Sequence, residues 1–310
     1  MEHYSVLLNE CIHYLNIRED GIYVDGTLGR AGHSSEILKK LNHGYLYSFD
    51  KDFDAIRKCE PKLAAISDRF SLIHSDFSLM KEELKKRGIQ GIDGLLLDLG
   101  VSSPQFDEAE RGFSYRFDAR LDMRMDTSQA LDAYIVVNQY SYEDLVRIFL
   151  QYGEEKFAKQ IARKIEKQRM VQPITTTFEL VDVIKSALPA KVLNSKGHPA
   201  KKVFQAIRIE VNDELGSVRR VLDDMIPFLN VGGRICVISF HSLEDRIVKE
   251  AFTKVTKAEK VDKRIPLLPE QVEDKPYRLV ERKPIVANEN ELKENKRSHS
   301  AKLRVLERVR

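Results

Sequence analysis

An α/β fold, a parallel sheet flanked by helices and interrupted by an all-helical insertion, is the architecture this sequence predicts. Three observations predict it. Short β-branched or apolar runs bounded by turn residues alternate with helical patterns up to Asp98. From about 105 to 215 helical patterns continue with no convincing buried strand, and a strand pattern returns near 234. Alternation of this kind marks βαβ units. Because the first four strands still need a fifth to cover the sheet, one interrupted domain accounts for the order better than two domains in series. The expected boundaries are 1–104 and 216–310 for a discontinuous α/β domain, and 105–215 for the inserted helices.

The elements follow in order. Strands are predicted at 21–25, 44–50, 70–74, 94–98 and 234–239, with helices near 33–42, 52–65 and 77–87. In the insertion, Ser141-x-x-Asp144 and Thr176-x-x-Glu179 read as capping boxes that open helices. A long helix ending at Leu229 and a turn Asn230-Val231-Gly232-Gly233 precede the fifth strand. Two extended tail segments, 277–281 and 302–306, are placed to close the sheet as an antiparallel pair. The stretches 255–275 and 287–299, charged or Pro-containing, read as loops.

Composition narrows the function. The 310 residues carry 42% hydrophobic and 32% charged side chains, with only 15 Gly and 10 Pro, which fits a globular protein and excludes a largely disordered or collagen-like one. No apolar run approaches the roughly 18 to 20 residues of a membrane helix. The start lacks the basic flank and long apolar stretch of a secretory signal, so a cytoplasmic address is expected. Cys11, Cys59 and Cys236 are isolated and no histidine pair has metal-ligand spacing, so no metal is expected.

The net charge of +3 conceals opposite blocks: 1–153 holds 18 Lys+Arg against 25 Asp+Glu, and 154–208 holds 12 against 5. On a helical wheel, Phe157, Ala158, Ile161, Ala162 and Ile165 share one face of 156–167, while Lys156, Lys159, Arg163 and Lys167 share the other. Such a face is either merely solvated or a polyanion surface. Lys191, Lys196, Lys201, Lys202 and Arg208, with few acids between them, favour a nucleic-acid surface.

The sharpest motif runs from Asp25 to His33, after a strand and into a helix. Its spacing, Gly26-x-x-Gly29-x-x-Gly32, is neither the G-x-G-x-x-G of dinucleotide enzymes nor a phosphate loop, which points to a nucleoside ligand without phosphates. Asp50 ends the second strand about 20 residues on, where a carboxylate accepts ribose hydroxyls. Ser75-Asp76-Phe77 ends the third and offers an aromatic edge for adenine; Asp98-Leu99-Gly100-Val101-Ser102-Ser103-Pro104-Gln105 ends the fourth. Open α/β sheets bind ligands beyond their strand C-termini, so four polar strand ends make one site. S-adenosylmethionine satisfies it, with adenine, ribose, a sulfonium and an amino acid.

At these residues the sequence resembles the MraW type of rRNA methyltransferase, the family of the ribosomal RNA small subunit methyltransferase H. The likeness runs over essentially the whole chain, through His3-Tyr4-Ser5-Val6-Leu7-Leu8-Asn9-Glu10, the 26–33 turn, 98–105, Glu110-Arg111-Gly112-Phe113-Ser114, Leu121-Asp122-Met123-Arg124-Met125, Tyr152-Gly153-Glu154-Glu155-Lys156, Phe204-Gln205-Ala206-Ile207-Arg208 and Ser239-Phe240-His241-Ser242-Leu243-Glu244-Asp245-Arg246. The resemblance implies a class I S-adenosylmethionine-dependent methyltransferase, Rossmann-like, with a helical insertion that recognises substrate. It implies methylation of the N4 amine of one cytidine in the decoding region of 16S rRNA, in the small ribosomal subunit. It also implies cofactor contacts at Ala31, Gly32, His33, Asp50, Phe77, Asp98 and Gln105. Ala31 stands where a glycine is common.

Transfer to an exocyclic amine calls for an acceptor on its N–H, because the lone pair conjugates with the ring. The usual D/N-P-P-Y segment of amino-methyltransferases is replaced by Asp98-Leu99-Gly100-Val101-Ser102-Ser103-Pro104, without the aromatic that stacks on an extruded base. Asp98 is the candidate acceptor; the alternative is that it only holds the methionine part of the cofactor. His241 is a candidate general base, or else the cap of the helix beginning at Ser242. Phe113, Tyr115 and Phe117, among Arg111, Arg116, Arg120 and Arg124, either clamp RNA or pack in a core. An NAD(P) oxidoreductase and a non-catalytic RNA-binding assembly factor remain as alternatives.

Overall fold

The structure, a computed structural model, describes residues 5–101, 103–194, 197–257 and 275–310. His3, Tyr4, Ser102, Lys196 and most of the 255–275 loop lie outside the described residues. The chain divides into two compact units, Met1–Gly100 with Leu215–Arg310, and Val101–Glu214.

The first unit begins with α1 (Leu8–Leu15) and alternates β1 (Ile22–Asp25), α2 (Gly32–Leu38), β2 (Tyr45–Asp50), α3 (Phe53–Ala64), β3 (Phe70–His74), α4 (Met80–Lys86) and β4 (Ile92–Asp98). Six residues of β4 are buried before Asp98. Burying each of Leu95, Leu96 and Leu97, all 0% exposed, contributes on the order of 2 kcal/mol. A continuous apolar run is what a parallel strand covered on both faces requires.

The second unit is built from α5 (Ser103–Asp107), α6 (Ala133–Gln139), α7 (Tyr142–Gln151), α8 (Ala158–Val171), α9 (Thr177–Ser186), α10 (Ala190–Leu193) and α11 (Lys201–Asn212). Leu121, Val136, Phe149, Ile161, Ile184 and Ile207, all 0% exposed, belong to its own core. The face of α8 bearing Ala158, Ile161, Ala162 and Ile165 is buried, and Lys159, Arg163 and Lys167 are exposed. At α9 the predicted box forms in full: Thr176 accepts from the Glu179 N–H and the Glu179 carboxylate accepts from the Thr176 N–H. At α7 Ser141 caps by accepting from the Asp144 N–H, but the Asp144 carboxylate takes the Ser141 hydroxyl proton instead. Aspartate is one methylene shorter than the glutamate of a reciprocal box.

The chain then returns through α12 (Glu214–Met225), β5 (Leu229–Ser239), α13 (Ser242–Thr256), β6 (Tyr277–Leu279), α14 (Glu289–Glu294) and β7 (Lys302–Arg308). The sheet order is β3-β2-β1-β4-β5-β7-β6, with the first five strands parallel and β7 antiparallel to both neighbours. This is a doubly wound, Rossmann-like sheet, the fold class the sequence predicts, and its order reverses between β1 and β4.

Two readings of the sequence are corrected. The helix before β5 stops at Met225, and the predicted turn at 230–233 lies inside the strand, as an irregularity where the β4–β5 register shifts between Ile92 and Gly94. The 287–299 stretch holds a short helix and a 3-10 turn, because the Asn288 and Asn295 side chains cap their first N–H groups.

Candidate functional site

The strand ends converge beside the point where the sheet order reverses. Asp25 pairs in register with Ser48 and Leu96, and the Gly26 N–H donates to the Leu96 carbonyl at 2.8 Å, tying the glycine turn to the strand that ends in Asp98. A Cβ on Gly26 would lie 2.4 Å from Leu97 Cδ2 and 3.0 Å from Met80 Cε, so the close approach favours glycine, and a methyl would have to displace both side-chain ends. Gly29 needs glycine for a different reason, its φ of +51°, and around it a Cβ would meet only the Thr27 carbonyl oxygen, at 3.8 Å. Ala31 adopts φ +58° with its methyl fully buried, a left-handed conformation that costs a non-glycine residue about 1 kcal/mol.

Asp25, fully buried, is occupied by the fold itself. Its Oδ1 accepts from the Thr27 N–H at 3.0 Å and its Oδ2 from the Ser34 hydroxyl at 2.6 Å. Asp50 is held beside the turn by two backbone donors, the Gly29 N–H and the Asp52 N–H, each at 2.9 Å. Each carboxylate oxygen keeps a lone pair for a ribose hydroxyl. Burial pushes the Asp50 carboxyl up to about 6, against the opposing pull of those two N–H groups.

Phe77 opens a 3-10 turn (Phe77–Leu79) and is half-buried, its Cβ 3.5 Å from where a Gly26 Cβ would stand. Asp76 caps that turn by accepting from the Ser78 N–H at 2.8 Å. Burial alone would raise the Asp76 carboxyl, but the Lys51 ammonium at 3.0 Å and the Ser78 donor outweigh it, so the group lies below its ordinary value.

Asp98 differs from the other strand-end acids. Its N–H donates to Thr27 Oγ1 at 2.7 Å, which joins β4 to the turn. Its Oδ2 faces His33 Nδ1 at 3.9 Å, while His33 Nε2 donates to the Val6 carbonyl at 3.1 Å. Its Oδ1 is buried with no hydrogen-bond partner among the described residues. Burial pushes the carboxyl up to about 6, opposed by His33 and Arg297 and aided by Asp25 and Glu244. A buried acceptor of this kind costs about 1 to 3 kcal/mol unless a donor arrives. The carboxylates of Asp98 and Asp50 and the open backbone at Gly29 have the chemistry that a cationic nucleoside such as S-adenosylmethionine needs.

The remaining candidates fall elsewhere. Gly32 begins α2 and would place a Cβ 1.9 Å from Ser5 Oγ, a side chain that must turn away to admit it. Gln105 is buried in α5 of the second unit. His241 is the cap of α13: its Nδ1 accepts from the Glu244 N–H at 3.4 Å, and the Glu244 carboxylate accepts from the His241 N–H at 3.3 Å. Its Nε2 lies 3.1 Å from Glu244 Oε1 without forming a hydrogen bond. Thr27 escaped the sequence reading, although its place between two glycines of the turn was a signal that a hydroxyl there could reach the next strand.

Residues 1–309 of the 310 match the family model described as the MraW methylase family. The Ribosomal RNA small subunit methyltransferase H of Exiguobacterium sibiricum is 57% identical over 309 residues, covering 100% of this chain and 99% of that protein. The protein of the same name from Oceanobacillus iheyensis is 54% identical, covering 99% and 95%.

Proposed function

Since the chain belongs to the MraW methylase family, we propose that it transfers a methyl group from S-adenosylmethionine to the N4 amine of a cytidine in the decoding region of 16S rRNA, on the small ribosomal subunit and in the cytoplasm. The relatives' names supply the rRNA and the subunit. The resemblance of the motifs supplies the cytidine and the amine. The inserted helices, 105–215 in this reading, recognise the RNA, and their exposed Lys159, Arg163 and Lys167 suit a phosphate backbone.

The observation that carries the reading is the buried Oδ1 of Asp98, which has no hydrogen-bond partner among the described residues. Bound at the strand ends, S-adenosylmethionine supplies a methyl group on a positively charged sulfur. Asp50 would receive the ribose hydroxyls, Phe77 would offer its ring to the adenine, and the 31–33 segment would complete the contacts of the sheet unit. Asp98 accepts the N–H of the cytidine amine, which frees the nitrogen lone pair from the ring and receives the proton as the N–C bond forms and the C–S bond breaks. His241 acts through the fold, as a helix cap, with its Nδ1 already engaged.

The test uses labelled S-adenosylmethionine with under-methylated small subunits, naked 16S rRNA, duplex DNA and bulk protein, followed by nucleoside analysis. N4-methylcytidine formed on the assembled subunit is the expected result. Label on a different atom, or on none of the four, overturns the assignment.

A further inference from the structure

The mixed aromatic and arginine stretch 111–124 divides sharply once its partners are known. Phe113 is 3% exposed in the core of the helical unit. Arg111 donates to the carbonyls of Arg124 and Met125, Arg120 pairs with Asp122 and Asp132, and Arg124 pairs with Asp122 and the carbonyls of Thr127 and Gln129. These groups are occupied by the fold. Tyr115 is half-buried, and Arg116 and Phe117 face solvent.

Tyr115 is not alone. Its ring lies flat against that of His198, centroids 4.1 Å apart and planes 6° from parallel, and Phe204 meets it edge-on at 5.7 Å. Phe204 belongs to the core, so the pair has a fixed base. The Ala200 N–H donates to His198 Nδ1 at 3.3 Å, which leaves the proton of the neutral ring on Nε2. Burial, and then the positive charges of Lys185 and Arg116, hold the imidazole below its ordinary value. Both cations are exposed, and neither has an ion-pair partner among the described residues. Exposed cations whose charge is felt at the His198 ring suit the phosphates that flank a stacked base.

We propose that the Tyr115–His198 pair is a stacking platform for an unpaired base of single-stranded RNA, with Arg116 and Lys185 receiving the flanking phosphates. This rests on the reading of RNA as substrate and gives the strand a seat in the helical unit. Every base has a π-face, so an aromatic platform takes unpaired RNA with little sequence preference, whereas bases in a duplex are already stacked. The His198 Nε2–H supplies a donor at the edge of the platform.

The experiment measures binding of a short unstructured RNA carrying 2-aminopurine to the full chain, with the matching duplex as control. Quenching of the fluorescent base reads stacking. Tyr115→Leu and His198→Ala are expected to weaken single-strand binding about tenfold and abolish quenching, while Tyr115→Phe, which keeps the ring, stays within about twofold of the parent. Arg116→Gln and Lys185→Gln should each lessen the slope of log affinity against log salt by about 0.7. Unchanged affinity and quenching in both ring variants, an equal loss in Tyr115→Phe and Tyr115→Leu, or tighter binding of the duplex overturns the platform. The parent chain is assayed in parallel for N4-methylcytidine on small subunits; failure there with the binding losses intact removes the cytidine assignment and leaves the platform standing.

Discussion

Asp98 and Asp50 are both carboxyls pushed up to about 6 by burial, and of the two Asp98 has an oxygen without a hydrogen-bond partner among the described residues. Relative to the ordinary value of 3.8, the folded chain holds extra protons between about 4 and 6, so the cost of these charges is absent at low pH and complete above 6. Asp98→Asn should therefore stabilise the cofactor-free protein by on the order of 2 kcal/mol at pH 8, with the gain shrinking toward pH 5, as thermal melts at the two pH values will read. In the parent, affinity for the cationic cofactor should fall as pH drops through about 6, a dependence that calorimetric titration measures and that Asp98→Asn makes shallower. Gly26→Ala should cost about 1 to 3 kcal/mol, because Leu97 and Met80 must both move to admit the methyl; chemical denaturation reports it. The positions of Asp25, Asp50 and Asp98 were legible because each ends an apolar strand. Their division of labour was not, since Asp25 is engaged by Thr27 and Ser34, contacts that strand patterning does not carry.

At the scale of the element, His241 follows the last parallel strand and caps α13, its Nδ1 accepting from the Glu244 N–H. His241→Ala should cost about 1 kcal/mol in a denaturation experiment, and His241→Asn should restore most of it, with the pH profile of turnover unaltered. Parallel strands were readable from sequence because burial on both faces demands unbroken apolar runs, as in 94–98. The helix end before β5 was not, because Leu229 pairs with Ile92 across the sheet, a tertiary contact that overrides the turn signal of Gly232 and Gly233.

For the whole molecule, two cores in one chain have separate consequences. Phe149 lies among the buried residues of the helical unit, and Leu96 among those of the sheet unit. Phe149→Ala should cost about 3 to 5 kcal/mol and, by hydrogen exchange, lower protection of α7, α8 and α11 more than that of β4 and β5. The run of helices from α5 to α11 was foreshadowed by the loss of strand rhythm after Asp98. Which of its arginines are spent on backbone carbonyls was not, because the acceptors of Arg111 and Arg124 come from irregular segments without a pattern.

The central claim is that the strand-end carboxylate of Asp98 acts on the amine rather than only on the cofactor. Its most direct test compares Asp98→Asn with the parent for S-adenosylmethionine affinity and for single-turnover methyl transfer to small subunits. The account predicts that transfer slows by about 100-fold or more while cofactor affinity changes far less. Transfer and affinity falling by the same factor would contradict it and leave Asp98 as a cofactor contact alone.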